Sequence, residues 1–369
     1  MTGTRGSAEL RSPTGAHGGR EAVPQRVAVV VGAGAVGSFL GGTLAAAGWD
    51  VTLLRRRGGG DGSTTQLAID GPRGRRVTVP VRRAGSPDAA PAVPDVVILA
   101  VKMYDLSGAL EAAARWPDAA LATAQNGVGA EEVAATARTS PLIALSLTAA
   151  VEPTADGVAR RRTGGLGIAP VRGDTTALRH ELADAFADGG LPTVACGDAA
   201  AMKWSKLLAN LVANASSGLL DMDARAVWAD RAGFDLERRQ LREALAVMRA
   251  LGLRVVSLPG GQVGVLLAGL RFPAAIARPV TAFAVGRARG GKAPSLRIRL
   301  RGGGTGPTEA RWLNGAVAGA GARLGVPTPV NAALATLVDQ AAVDPAGADR
   351  WRGNPAALRD VAVGWRDGA

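Results

Sequence analysis

The segment from Val27 to Trp49 constrains the fold most strongly, because it is apolar, carries no charge and is interrupted by glycines. An uncharged run of this length forms either a membrane-spanning helix or the buried start of a nucleotide-binding fold. The interrupting glycines are Gly32, Gly34, Gly37, Gly41, Gly42 and Gly48. Glycine weakens a lone spanning helix, but it is needed where the backbone turns tightly around a phosphate. We therefore predict no membrane span.

The first glycines form a G-x-G-x-x-G motif between a predicted strand, RVAVVV, and a predicted helix of small residues. Gly32 permits the tight turn, and Gly34 lets a pyrophosphate approach the N–H groups of Ala35 and Val36 at the helix start. Gly37 lets the helix pack closely on the strand. The second strand, DVTLL, follows as a dinucleotide-binding fold requires. These five residues are predicted to bind the cofactor.

The end of the second strand predicts which dinucleotide is bound. A site for NAD places Asp or Glu there to bind the ribose hydroxyl groups, whereas this chain has Arg55, Arg56 and Arg57. Guanidinium groups suit a 2′-phosphate, so we predict NADP(H), with Arg56 as the binding residue. The alternative is a solvated basic loop in an arginine-rich chain.

Strand and helix patterns alternate in the first half of the chain, and long helical patterns fill the second half. We predict an α/β fold, in which an N-terminal Rossmann-type, doubly wound parallel sheet is followed by an all-helical C-terminal domain. Residues 1–24 are rich in Gly, Ser, Arg and Pro and are predicted to be a disordered tail. The expected domains are 25–197, binding NADP, and 198–342, binding substrate. The extension 343–369 is either a further helix or a tail.

Composition excludes several classes of protein. The net charge is +12, but the arginines are spread along the chain without interleaved aromatic residues, so we expect no nucleic-acid partner. The only cysteine, Cys196, allows no intramolecular disulfide, and it gives no zinc site with only His17 and His180. We predict a cytoplasmic protein without a metal.

A polar face marks the first predicted helix of the second domain, AMKWSKLLANLVANASSGLL. Lys206, Asn210 and Asn214 follow at four-residue steps and would line one side of a continuous helix. Asparagine is a mediocre helix former, so two of them within a helix suggest a site that binds a carboxylate or hydroxyl group. Hydride transfer to a ketone also needs a proton donor, which a lysine can supply. The alternative is an ordinary solvated face.

Several motifs occur in the order of a known family. They are VVGAGAVGSFLGGTLAAAGWDVTLLRR, LAVKMYD, QNGVG, KWSKLLANLVAN, PSL and TEARWLNGAVAGAGARLGVPTPVN. Over about residues 26–340 the chain resembles the ketopantoate reductase (2-dehydropantoate 2-reductase) family. The resemblance implies NADPH-dependent reduction of a small 2-keto acid in a cleft between two domains.

The resemblance also implies roles for individual residues. Lys206 resembles the general acid, and Glu309 matches a catalytic carboxylate near the lysine. Substrate-binding groups are implied at Asn210, Asn214 and Ser295, and nicotinamide-end contacts at Lys102 and Asn126. Alternatives remain for single residues: Lys102 could reach solvent at a strand end, Asn126-Gly127 could be an ordinary turn, and Glu309 could simply suit a helix dipole.

The chain departs from the family pattern at Arg299 and Arg311, where acidic residues are usual. These changes could admit a more anionic substrate. The leading hypothesis is reduction of ketopantoate to pantoate in pantothenate and coenzyme A biosynthesis. The alternatives are reduction of another 2-keto acid in a specialised pathway, and a non-catalytic NADP(H)-binding redox sensor. A homodimer is compatible with the sequence, which does not fix the oligomeric state.

Overall fold

A computed structural model describes residues 25–55, 60–71, 75–260, 263–289, 293–302 and 307–365. The predicted tail, residues 1–24, and Arg56 and Arg57 lie outside the described residues. Within the described residues, eleven strands form one sheet. They are β1 (Val27–Val31), β2 (Asp50–Leu54), β3 (Asp61–Asp70), β4 (Arg76–Ala84), β5 (Val96–Leu99), β6 (Ala120–Thr123), β7 (Leu142–Leu147), β8 (Ala150–Pro153), β9 (Gly157–Arg162), β10 (Leu166–Arg172) and β11 (Thr193–Ala195).

Fifteen α-helices accompany the strands in the described part of the chain. They are α1 (Ala35–Ala46), α2 (Leu106–Ala113), α3 (Ala130–Ala137), α4 (Thr176–Asp188), α5 (Ala199–Leu211), α6 (Ala215–Leu220), α7 (Ala224–Ala229), α8 (Arg231–Ala250), α9 (Val263–Gly269), α10 (Ala274–Arg289), α11 (Ser295–Arg301), α12 (Asn314–Leu324), α13 (Pro329–Val343), α14 (Pro345–Ala348) and α15 (Pro355–Val363). The sheet thus precedes a helical region, and the predicted fold class is confirmed.

The sheet has the strand order β11-β10-β7-β6-β5-β1-β2-β4-β3-β9-β8. Its centre, from β7 to β4, is entirely parallel. Among the described strands, the antiparallel pairs lie towards the edges, where β10 joins β7, β3 joins β4 and β8 joins β9. Parallel strands end at one edge of a sheet, so the loops after β1, β5, β6 and β7 lie side by side.

Both faces of the central sheet are covered, which explains why its strands are apolar throughout. Along β1, Ala28 and Val30 pack with α1 and α4. Val29 and Val31 point the other way and pack with α2 and α3. The strands β3, β9 and β8 also contact α1, so this edge of the sheet curls around that helix. The curl brings the end of β9 back towards the end of β7.

The predicted continuous helix over about 200–220 is wrong in one respect, because it is broken between α5 and α6. Ala213 adopts a left-handed backbone with φ 47°. The break is stabilised by Glu237 on α8, whose buried carboxylate accepts the Ala213 N–H at 2.7 Å and the Ser216 hydroxyl at 2.6 Å. Lys206 and Asn210 therefore lie on α5, whereas Asn214 lies at the start of α6.

Beyond Ala342, α13 ends at Val343 and two further helices follow, α14 and α15, so the described part of the extension is a further helical segment. Helix α15 packs against α8 and α13. Trp351 and Leu358 are buried, and Arg352 forms an ion pair with Asp221 at 3.0 Å. The extension is thus part of the helical core.

No helix among the described residues is long and apolar enough to cross a membrane. The same residues contain no group of three or more His, Cys, Asp or Glu side chains that could hold a metal ion.

Candidate active site

A cavity of about 1050 Å³ lies between the sheet and the helical region. Its volume is at the upper limit of ordinary small-molecule sites, so it has room for a dinucleotide and a small acid. Most of the predicted site residues line it. They are Gly32, Gly34, Ala35, Val36, Lys102, Asn126, Lys206, Asn210, Asn214, Ser295 and Glu309. Gly37 lies behind the wall, and Arg56 is outside the described residues.

The glycine turn forms one wall, which we call the cofactor wall, and its shape fits a dinucleotide. A Cβ on Gly34 would meet no atom within 4 Å, so it would project into open space at the start of α1. A Cβ on Gly37 would lie 1.9 Å from the Gly32 carbonyl oxygen, which the close packing of α1 on the turn forbids. The first-turn N–H groups of α1 have no partners within the helix, so this turn can hold a pyrophosphate.

The end of β2 places a basic residue on the wall of the cavity. Arg55 lines the cavity, and its side chain is exposed. The neighbouring wall is formed by Gly85 and Pro87, which follow β4. Arg55 can therefore meet a phosphate group without first giving up a buried contact.

Helix α5 carries the central part of the opposite wall, which we call the substrate wall. Lys206 and Asn210 both line the cavity from this helix. The side-chain amide nitrogen of Asn210 is buried and has no hydrogen-bond partner among the described residues. A buried donor without a partner is costly, so it is expected where a ligand will supply the acceptor.

Asn214 and Ser295 are brought together on the same wall. The Asn214 Oδ1 atom accepts hydrogen bonds from the Ser295 hydroxyl at 3.3 Å and from the Leu296 N–H at 3.1 Å. Asn214 is 5% exposed, and it holds the start of α11 beside α6. The break between α5 and α6 makes this arrangement possible.

An ion pair crosses the cleft between the two walls. Lys102, which follows β5, lies 2.5 Å from the carboxylate of Glu309. Both residues line the cavity, and Glu309 is 15% exposed. The resemblance implied that Glu309 acts beside Lys206; its partner described here is Lys102, so a role towards Lys206 remains a prediction.

The turn after β6 also abuts the helical region. Asn126 lines the cavity, and Gly127 adopts a φ of 83°. A Cβ on Gly127 would lie 2.3 Å from the carbonyl oxygen of Trp312. Only glycine fits both this backbone conformation and this close approach.

Sequence reasoning missed a buried ion pair that joins the walls. Lys203 on α5 is 3% exposed and lies 2.9 Å from Glu131 on α3. It also donates to the carbonyl oxygen of Gln125 at 3.0 Å, next to Asn126. Glu131 accepts a further hydrogen bond from Thr123 at 2.6 Å. Lys203 precedes Lys206 by about one helical turn, but only the fold places its partner beside it.

Two arginines on β9 were also missed, because β9 was not predicted as a strand. Arg161 and Arg162 both line the cavity. Burial lowers the pKa of the Arg162 guanidinium from its usual value. Arg299 and Arg311, which the sequence suggested as specificity residues, are not among the described residues that line the cavity.

The sequence and the fold match those of known proteins. The sequence model described as Ketopantoate reductase PanE/ApbA matches residues 28–168, and its C-terminal counterpart matches residues 198–342. A 2-dehydropantoate 2-reductase of Halobacterium salinarum is 32% identical over 236 residues, which span 62% of this chain and 76% of that protein.

Solved structures share the fold. A ketopantoate reductase of the PanE/ApbA family from Ralstonia eutropha JMP134 has a TM-score of 0.69 at 24% identity, covering 86% of this chain and 98% of that chain. A ternary structure of D-mandelate dehydrogenase with NADH and anilino(oxo)acetate has a TM-score of 0.67 at 18% identity, with the same coverage. Because the family models together match more than half of the residues, the chain belongs to the ketopantoate reductase family of oxidoreductases, whose cofactor is a nicotinamide dinucleotide.

Proposed function

We propose that this protein reduces a 2-keto acid with NADPH, and that ketopantoate, which yields pantoate, is its leading substrate. The observation that carries the proposal is the buried, unpartnered amide nitrogen of Asn210 beside Lys206, in the same cavity as the glycine turn. The reaction belongs to pantothenate and coenzyme A biosynthesis. A cytoplasmic location and a homodimer remain predictions.

The bound nicotinamide supplies the hydride that reduces the keto carbon. Lys206 donates a proton to the keto oxygen, whose developing negative charge the ammonium group also stabilises. Asn210 donates its free amide N–H to the substrate and so fixes the orientation of the keto group. Ser295, held by Asn214, binds the substrate carboxylate with its hydroxyl group.

Glu309 and Lys102 have a positioning role at the mouth of the cleft. Their ion pair joins the loop after β5 to the segment before α12. In the proposed complex the ligand separates this pair, because both residues line the cavity that it fills. Glu309 then becomes available to orient Lys206, which stands on the same cavity wall.

The preference for NADPH rests on Arg55, with Arg56 as its predicted partner. Arg55 is exposed at the end of β2 and lines the cavity next to the glycine turn. A guanidinium group there binds the 2′-phosphate, which NADH lacks.

The test is the loss of NADPH absorbance with purified protein and ketopantoate, beside NADH and the Lys206→Ala variant. We expect turnover that prefers NADPH and that falls by about 10²- to 10⁴-fold in the variant, the range for one general acid. The variant must keep its NADPH affinity and its melting temperature. Intact turnover in Lys206→Ala would contradict the mechanism, and NADPH binding without turnover of any keto acid would favour the redox-sensor alternative.

A further inference from the structure

Arg162 is a cation without a counter-charge on the wall of the substrate cavity. It lies at the end of β9, half-buried, and it lines the same cavity as Lys206 and Asn210. Among the described residues no carboxylate pairs with it. Because burial removes water from a charge, an unpaired guanidinium in this position is unfavourable until an anion binds.

The contacts of Arg162 leave part of its hydrogen-bonding capacity unused. Its two terminal nitrogens donate to backbone carbonyl oxygens, Nη1 to Ala288 at the end of α10 and Nη2 to Thr148 at 3.3 Å. Its Nε atom is buried and has no partner among the described residues. A guanidinium group has five N–H donors, so two bonds to neutral carbonyls satisfy neither its donors nor its charge.

The neighbouring residue provides an internal contrast. Arg161 also lines the cavity, but its side chain is 59% exposed and lies 3.1 Å from the carboxylate of Glu152. Its charge is therefore compensated at the surface. The two arginines share a strand and a cavity, and they differ in burial and in counter-charge.

The cavity that Arg162 lines has an apolar part besides its polar groups. The apolar lining includes Leu147, Val212, Leu266 and Val285. The carboxylate-binding groups Asn214 and Ser295 belong to other elements, α6 and α11. A substrate held at its reacting end by those groups can direct a second anionic group towards Arg162, which, unlike Arg161, has no carboxylate partner among the described residues.

We propose that Arg162 forms an anion subsite for a second carboxylate of the substrate, so that the enzyme also reduces 2-keto dicarboxylic acids. The proposal rests on the reductase function argued above and deepens it. Ketopantoate has one carboxylate and leaves this subsite without an anion. The pyrophosphate of the cofactor offers a similar charge, and it is the rival ligand.

The test compares acids of equal chain length that differ only in the second carboxylate: 2-oxoglutarate against 2-oxopentanoate, and oxaloacetate against 2-oxobutyrate. Binding is measured by calorimetry on the NADP⁺-loaded protein, where no reduction takes place. We expect the diacid of at least one pair to bind about 10- to 100-fold more tightly, the range for one hydrogen-bonded charge. Turnover with NADPH is expected to follow the same preference.

Arg162→Met is expected to abolish the diacid advantage and to leave monoacid binding within about twofold. Arg161→Met is the matched control and is expected to keep the advantage. Arg162→Gln preserves a donor for the backbone carbonyls without the charge. Arg162→Gln is expected to lose the diacid advantage as well. It replaces Arg162→Met in the test if the methionine variant does not fold.

Several results would overturn the subsite. They are the absence of a diacid advantage in the native protein, an equal loss for both acids in the Arg162 variants, and a loss of NADPH affinity in place of diacid affinity. The last result would assign Arg162 to the cofactor phosphates. A diacid advantage in binding without any turnover would support the subsite and contradict the reductase function, so the two proposals fail separately.

Discussion

The cofactor wall and the substrate wall of the cleft are built by different means. The cofactor wall is mainly backbone: Gly32 and Gly34 line it, and Gly37 lets α1 approach. The substrate wall is made of side chains that arrive from α5, the start of α6, α11 and the segment before α12. One wall therefore depends on a short local sequence, and the other depends on the packing of several helices.

The two walls therefore respond differently to substitution. A backbone wall offers N–H groups that bind a pyrophosphate whatever the neighbouring side chains are. A side-chain wall can change its substrate by single substitutions, because individual side chains supply its polar groups. We therefore expect changes on the cofactor wall to alter cofactor affinity, and changes on the substrate wall to alter turnover at constant cofactor affinity.

The largest effect on cofactor affinity is expected from Gly37→Ala. Its Cβ would lie 1.9 Å from the Gly32 carbonyl oxygen, so α1 must shift away from the turn. We expect a loss of about 3 kcal/mol in the free energy of unfolding, the upper range for overpacking. NADPH affinity, measured by fluorescence titration, is expected to fall at least about 100-fold, which corresponds to about 2.7 kcal/mol.

Gly34→Ala is the matched control. Its Cβ would meet no atom within 4 Å, so the melting temperature is expected to stay constant while NADPH affinity falls. If both variants bound NADPH normally, the turn would not be the cofactor wall.

Lys203→Met tests whether the buried ion pair couples the two walls. It leaves Glu131 buried without its cation, and breaking a buried pair in this way costs about 3–5 kcal/mol. Chemical denaturation measures the loss, and turnover is expected to fall because the Gln125–Asn126 turn loses its contact with α5.

Two comparisons sharpen this prediction. Adding Glu131→Leu to Lys203→Met should restore most of the stability, since no charge is then left unpaired. Lys102→Met breaks the more exposed pair with Glu309 and is expected to cost at most about 1 kcal/mol. Equal losses in Lys203→Met and Lys102→Met would argue against a special role for the buried pair.

Arg55→Ser is expected to have a smaller effect, confined to the cofactor wall. In the proposed complex the exposed guanidinium binds only the 2′-phosphate, so the preference for NADPH over NADH is expected to fall by about tenfold. Michaelis constants for both cofactors, measured with one keto acid, give the ratio. An unchanged ratio of the two Michaelis constants would mean that Arg55 does not set the preference for NADPH and would point to Arg56 and Arg57.

The smallest effect concerns Glu243, far from the chemistry on α8. Burial is the main cause that raises the pKa of this carboxyl above its ordinary value of 4.5, although it accepts N–H bonds from Val330 and Asn331. The folded protein thus holds the proton more tightly than the unfolded chain. The stability contribution is full below pH 4.5 and is lost as the pH rises through the raised folded value.

Thermal unfolding of the native protein and of Glu243→Gln, from pH 4 upwards, isolates this contribution. As the pH rises, the native protein is expected to lose stability relative to Glu243→Gln, while the turnover of the two proteins stays equal. A difference that does not vary with pH would show that Glu243 titrates normally.

The same contrast explains what the sequence could predict. The glycine turn and the strand–helix alternation are local patterns, and the structure has both. The helix break at Ala213 depends on Glu237, which lies on α8. Likewise, the partner of Lys203 lies on α3, and Arg162 reaches the cavity only because the sheet curls around α1. The resemblance to the family predicted Ser295 and Glu309 as site residues, and the structure places both on the cavity. Periodicity alone described Lys206, Asn210 and Asn214 as one continuous helix face.

The most direct test of the account is the Asn210→Leu variant, with stability, NADPH affinity and turnover measured together. The Asn210 amide nitrogen is buried and has no hydrogen-bond partner in the part of the chain that the structure describes, and leucine is the better helix former. The account predicts an unchanged or higher melting temperature, NADPH affinity within about twofold, and kcat/KM for the keto acid about 10- to 100-fold lower. A variant that loses stability but keeps its turnover would contradict the assignment of this wall to the substrate.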